Sequence, residues 1–120
     1  MNGWTKYVLR VDLAAMTATR EAIPDAALRE DLGGRGLAGR FLEPHVRLDR
    51  DDPSMPLCLF TGPLAGTDAP GSGVLCMASR SPLTGTVCDD SASTDLAVQL
   101  KRARLDGVVV TGKAQSPVGV

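Results

Sequence analysis

The chain has 120 residues, a net charge of −1 with the signs interspersed, and an apolar fraction of 43%, enough for the core of one small domain or part of one. It has no basic stripe of the kind that follows a nucleic acid, no apolar run near the ~20 residues of a transmembrane helix, and no basic-then-apolar signal segment at its start. Nucleic acid and membrane are therefore excluded as expected partners, a cytoplasmic protein is expected, and one Trp, one Tyr and two Phe leave the core to aliphatic side chains.

Residues 7–13 alternate apolar and polar side chains toward their end and read as a strand, with 17–23 returning as its hairpin partner. The intervening Ala14-Ala15-Met16 carries little turn chemistry. Pro24-Asp25 opens a short helix through Ala26, Ala27, Leu28, Glu30 and Leu32, which Gly33-Gly34 ends. A second short helix is expected over 36–43, with Leu37, Phe41 and Leu42 as its apolar face and Pro44 as its stop. Residues 47–56 read as a charged, solvated loop whose acids lack the spacing of a calcium loop.

Residues 57–61 and 73–79 read as short buried strands, and 85–88 as a third. Ser93 or Thr94 caps the most regular helix, with Asp95 in its first turn. Leu96, Leu100 and Ala103 fall on one face of it, and Lys101, Arg102 and Arg104 load its C-terminal end. Asp106-Gly107 turns into a buried strand at 108–110, Gly112-Lys113 makes a turn, and 118–120 read as the start of another strand. The sheet is accordingly expected to continue in further residues or in a partner chain.

Chemistry-bearing residues are few. Cys58 and Cys76 lie in apolar runs and read as buried small hydrophobes, while Cys88 is flanked by Asp89 and Asp90, a poor setting for a thiolate. Three cysteines at these spacings match no zinc or iron–sulfur ligand pattern. Gly34-Arg35-Gly36-Leu37-Ala38-Gly39 fits G-x-G-x-x-G, but a helical pattern precedes it and no βαβ unit surrounds it, so a break between helices is the better account. His45 sits beside Pro44 in a loop, far from any Ser-rich turn, and reads as a surface residue. Ser91-Ala92-Ser93-Thr94, read as opening a helix, is an anion-binding candidate crowded by Asp89, Asp90 and Asp95. A Mg²⁺ ion between acids and phosphate would reconcile those charges, and a plain helix cap is the simpler reading.

A Pro-Leu-x-Gly-Thr unit occurs twice, at 63–67 and 82–86, each beside an apolar run, and reads as structured loops carrying a surface. Taken with Gly3-Trp4, Leu9-Arg10-Val11-Asp12-Leu13, Leu32-Gly33-Gly34-Arg35-Gly36-Leu37, Pro70-Gly71-Ser72-Gly73, Leu100-Lys101, Asp106-Gly107 and Gly112-Lys113-Ala114, these pieces run in register along almost the whole chain. In that order they resemble the N-terminal region of the aldehyde ferredoxin oxidoreductases, the tungsten- (sometimes molybdenum-) pterin enzymes.

The resemblance implies an α+β fold, mostly antiparallel β-sheets with a few short helices, forming a single partial domain over residues 1–120. It implies two antiparallel sheets as the base on which a tungsto- or molybdo-bispterin with Mg²⁺ lies. It also implies oxidation of an aldehyde to a carboxylic acid, with electrons passing through a [4Fe–4S] cluster to ferredoxin. The cluster cysteines and second pterin motifs of the family lie outside this region, so the remaining oxidoreductase domains or a partner subunit are the implied partners.

Two positions depart from the family pattern. Its pterin-phosphate arginine falls at Val74, and its Asn-Ser-Gly-Gly, whose Asn helps hold the phosphate-bridging Mg²⁺, falls at Ser91-Ala92-Ser93-Thr94. The expected cofactor contacts are Gly73, Ser91, Ser93 and Thr94, with Arg80 as a substitute phosphate ligand between the two loops. The leading expectation is a cofactor-platform segment that is not catalytic alone. A truncated or stand-alone relative acting as an interaction module, by strand addition, is the alternative. A free-standing phosphate-binding protein is a third reading.

Overall fold

The computed structural model describes residues 3–119. Along the chain run strands β1 (Tyr7–Asp12) and β2 (Thr17–Ala22), then helices α1 (Asp25–Asp31) and α2 (Gly34–Leu42). Strands β3 (Leu57–Thr61), β4 (Val74–Arg80) and β5 (Val87–Ser93), helix α3 (Asp95–Arg102) and strand β6 (Gly107–Thr111) follow. The strands form one sheet in the order β2-β1-β6-β3-β4-β5, so the expected pair of sheets is corrected to a single six-stranded one. The reason is β6. It pairs parallel with β1, Val8 opposite Gly107 and Asp12 opposite Thr111, and antiparallel with β3, Leu57 opposite Val110. It thereby joins the N-terminal hairpin to the β3–β5 meander. Every other pair is antiparallel.

Two layers of side chains flank this sheet. On one face Val8, Cys58, Phe60, Cys76, Ala78 and Val109 pack against residues of α1 and α2, namely Ala27, Leu28, Leu37, Ala38 and Leu42. On the other, Leu75 and Val108 pack against Ala97, Leu100 and Leu105. Helix α3 covers only part of that second face, and Leu9, Leu13, Leu59, Met77 and Val110 stay half-buried beside it. Val108 and Val109 are both buried because β6 is central and covered on both sides. Gly107 has no alternative side chain: a Cβ there would lie 2.4 Å from the Phe60 ring and 2.5 Å from the Leu59 carbonyl oxygen.

Local chemistry explains several departures from expectation. Asp12 makes the β1–β2 turn, its Oδ1 accepting from Ala14 N at 2.9 Å and Ala15 N at 3.2 Å. This is an Asx turn, and it supplies what Ala14-Ala15-Met16 lacks. Helix α2 begins at Gly34 rather than 36, and Pro44 continues it into a 3-10 turn, Glu43–His45, instead of stopping the chain. His45 is half-buried in that turn. Helix α3 buries Ala97 and Leu100, while Leu96 stays exposed, so its packed face is rotated from the one expected. Strand β5 runs through Ser91 and Ser93, which the sequence pattern placed at a helix opening. Pairing with the apolar β4 overrides their weak strand preference. Val118 and Gly119 form no strand, and Val120 lies outside the described residues.

Candidate functional site

Four of the expected site residues come together at one end of the β4–β5 ladder. The register sets Val74 opposite Ser93, Cys76 opposite Ser91 and Ala78 opposite Asp89. These pairs share a face, because side chains alternate along a strand. Gly73 closes the ladder: its carbonyl accepts from Thr94 N at 2.9 Å. Thr94 then caps α3, its Oγ1 accepting from Leu96 N at 3.2 Å. Ser91 and Ser93 are therefore strand hydroxyls, exposed and about 7 Å apart, and Thr94 alone is the helix cap.

Arg80 stands elsewhere. It ends β4 opposite Val87, roughly 23 Å along the strand from Gly73. Its Nε donates to Gly85 O at 2.7 Å, and its Nη1 donates to Val46 O at 3.2 Å and to Leu48 O. It fastens two loops to the strand end. The twin Pro-Leu-x-Gly-Thr turns are likewise separated, one following β3 at the Gly73 end and the other following β4 at the Arg80 end. Each uses a glycine in the left-handed region, Gly66 at φ +82 and Gly85 at φ +70. They do not form a common surface.

The structure adds Arg35. Gly33 lets α2 start hard against the sheet, since a Cβ there would sit 2.6 Å from Thr61 O. The position a Cβ would take at Gly34 lies 3.9 Å from Cys76 Cβ. One residue on, Arg35 Nε reaches Asp89 Oδ2 at 2.6 Å, with 76% of the arginine side chain exposed. The G-x-G-x-x-G stretch, 34–39, is the first part of α2 itself rather than a break between helices, which falls just before it at Leu32-Gly33, and it sets the Arg35 guanidinium against Asp89.

Neither buried thiol suits chemistry. Burial pushes the Cys58 thiol up to about 12. Burial also raises Cys76, opposed by the Ser91 hydroxyl and by the Arg35 charge. Three hydroxyls, a guanidinium and the carboxylates of Asp89 and Asp95 offer donors and acceptors to an anion or a hydrated cation. They offer no activated nucleophile. Among the described residues no three potential metal ligands converge, and no helix is long and apolar enough to cross a membrane.

Residues 8–120 match the family model described as aldehyde ferredoxin oxidoreductase, N-terminal domain. The chain is 35% identical over 120 residues to a tungsten-containing aldehyde ferredoxin oxidoreductase of Pyrococcus horikoshii, a match covering 98% of this chain and 20% of that protein. It is also 35% identical over 128 residues to the WOR-like subunit of an aliphatic sulfonate oxidoreductase of Pyrococcus furiosus, covering 98% and 19%. Among solved structures it superposes on the BamBC active-site complex of benzoyl-coenzyme A reductase, in complex with 1,5-dienoyl-CoA. That match has a TM-score of 0.88 and 28% identity, and covers 96% of this chain and 18% of the other. The chain thus spans about a fifth of the length of the curated relatives it matches. Fold, register and family match together make this chain an N-terminal domain of the aldehyde ferredoxin oxidoreductase family.

Proposed function

We propose that this chain is the cofactor platform of a larger oxidoreductase that converts an aldehyde to a carboxylic acid. In that reading the β4–β5 end and the start of α2 hold the phosphate end of a tungsto- or molybdo-bispterin. The carrying observation is that Gly73, Ser91, Ser93 and Thr94 lie at one end of the β4–β5 ladder, with Arg35 held against Asp89 farther along the same strand. Their chemistry fits the group. Hydroxyls and a guanidinium would donate to phosphate oxygens, and Asp89, on the same strand face as Ser91 and Ser93, would offer hard oxygen to a Mg²⁺ ion. When bound, the pterin-held metal supplies the two-electron redox chemistry.

The chain's own part is binding and orientation. The ladder between β4 and β5 fixes the spacing of the hydroxyls, and Gly73 keeps the strand end free of a side chain. A [4Fe–4S] cluster and ferredoxin, both from outside this chain, would carry the electrons away. The free thiols Cys58, Cys76 and Cys88 suit a reducing, cytoplasmic setting. The test is to purify the complete polypeptide carrying this chain from cells given tungstate. Aldehyde-dependent reduction of ferredoxin, with tungsten bound in proportion to protein, is the expected result. A metal-free protein without that activity would refute the reading.

One observation favours a second reading. The sheet face beside α3 leaves Leu57 exposed and Leu59, Met77 and Val110 half-buried. An apolar strip of that kind suits an interaction module docked on other domains, whether or not a cofactor is held. Retention of tight docking by a complete protein that binds no pterin would select this second reading.

A further inference from the structure

We propose that the α3-side face of the β1–β2 hairpin, with Arg20 and Arg104 at its rim, is a docking surface for an acidic segment of a separate partner protein, anchored by a leucine or phenylalanine. This surface lies at the opposite edge of the sheet from the β4–β5 ladder. It goes beyond the cofactor reading and does not depend on it.

The floor of the surface follows from strand alternation. Leu9 and Val11 belong to the core layer under α3. Their cross-strand partners, Arg20 and Ala18, therefore lie on that same face. Helix α3 packs chiefly on β3 and β4. Beside it the hairpin keeps an apolar groove of about 340 Å³, floored by Leu9, Val11, Leu13, Met16 and Ala18. Met16 is 67% exposed. Asp12 borders the groove, but its Oδ1 already accepts from Ala14 N and Ala15 N.

The rim is cationic. Arg20 Nη2 donates to Arg104 O at 2.9 Å, and the Arg20 guanidinium carbon lies 4.0 Å from the centroid of the Tyr7 ring. Arg20 is thus held in place without a carboxylate. Among the described residues none of Arg20, Arg102 and Arg104 forms an ion pair. The neighbouring acids are engaged elsewhere, Glu21 by Arg10 and Asp106 by Lys101.

The backbone at Arg104 adds a second observation. Helix α3 ends in a Schellman motif, Leu105 N donating to Leu100 O and Arg104 N to Lys101 O, each at 2.9 Å. That motif sets Arg104 at φ +58, in the left-handed region that favours glycine. An arginine there costs stability that a glycine would not. Its charge, standing beside Arg20, accounts for the residue.

The composition selects the occupant. Tyr, Met and Arg around an apolar floor are the side chains that protein interfaces favour. Unpaired guanidinium groups match carboxylates, and the groove matches an apolar side chain set between them. A bare anion would leave the groove empty, and a nucleic acid needs a longer basic stripe than this chain has.

The experiment uses the complete polypeptide and a fluorescent peptide in which glutamates flank leucine and phenylalanine, with anisotropy as the readout. Two control peptides carry lysine for glutamate, or alanine for the apolar residues. The acidic apolar peptide is expected to bind, and to bind more weakly as salt is added. Arg20→Ala and Met16→Ser should each lower its affinity several-fold. Arg29→Ala, on the helix that covers the other face, should leave affinity unchanged. Arg104→Gly should lower affinity several-fold while raising the melting temperature, opposite effects that a merely structural arginine would not give. No binding, equal binding of either control peptide, or unchanged affinity in Arg104→Gly would overturn the proposal. A second arm treats Met16→Cys with a maleimide in the folded complete polypeptide and reads the label at that position by mass spectrometry. Prompt labelling that the acidic peptide slows supports an open docking surface. No labelling would mean that the remaining domains of the same polypeptide cover the face, and would overturn docking of a separate partner.

Discussion

Lys101 and Asp106 form a buried ion pair that ties the end of α3 to the start of β1. Their side chains are 10% and 1% exposed. Asp106 also accepts from Thr5 N at 3.0 Å and Lys6 N at 2.7 Å, and Lys101 Nζ donates to Gly3 O at 2.9 Å. Each end of the pair is thus held by backbone from the N-terminal segment.

Breaking that knot from the acid side should be costly. Asp106→Ala leaves an ammonium buried without its partner and two backbone N–H groups unpaired, a loss of about 3–5 kcal/mol. Lys101→Met should cost less, because Asp106 keeps its two backbone donors. Chemical denaturation of the two variants checks the order, and equal losses would show that the backbone bonds contribute nothing.

Gly107→Ala should destabilise the sheet by about 1–3 kcal/mol, the usual range for overpacking. The added Cβ meets both the Phe60 ring and the Leu59 carbonyl oxygen. Phe60→Leu in the same chain should recover only part of the loss, since the clash with backbone remains. Full recovery in a double-mutant comparison would mean that the ring alone sets the limit.

Arg80→Ala separates two roles. As a clamp on Val46, Leu48 and Gly85 carbonyls, Arg80 should when removed loosen the 47–56 and 81–86 loops and speed their proteolysis, with pterin content retained. Pterin loss with both loops still protected would instead give Arg80 the phosphate role.

Alkaline stability should carry the signature of Cys58. Its folded value lies near 12 against an ordinary 9.0, because burial disfavours the thiolate. The folded state therefore holds the proton more tightly. The contribution is complete below pH 9.0 and declines as pH rises toward 12, by at most about 1.4 kcal/mol per pH unit. Denaturation of Cys58→Ala and wild type across that interval should show the wild type losing stability more steeply. Parallel profiles would contradict the burial of a neutral thiol.

Much of the fold was legible because alternation marks β1, short apolar runs mark β3, β4 and β6, and Gly33 and Thr94 punctuate helices. Strand β5 was not, because Asp89, Asp90, Ser91 and Ser93 carry no strand pattern, and only pairing with β4 extends them. The parallel insertion of β6 between β1 and β3 is likewise a long-range choice that no local pattern encodes. Gly73 and Ser91 to Thr94 are expectations of the resemblance, and the strand register brings them to one end of the β4–β5 ladder. Arg35 was concealed by a glycine motif that suggested a nucleotide loop in the wrong context. Its place beside β5 appears only when Gly33 sets α2 against Thr61 and the tip meets Asp89.

The most direct test of the platform is the pterin and tungsten content of the complete protein with Ser91→Ala and Ser93→Ala combined, beside the wild type. Both hydroxyls are exposed, so the fold should survive the change. The account predicts a loaded wild type and a several-fold lower content in the variant at unchanged stability. Equal loading of the two would contradict it.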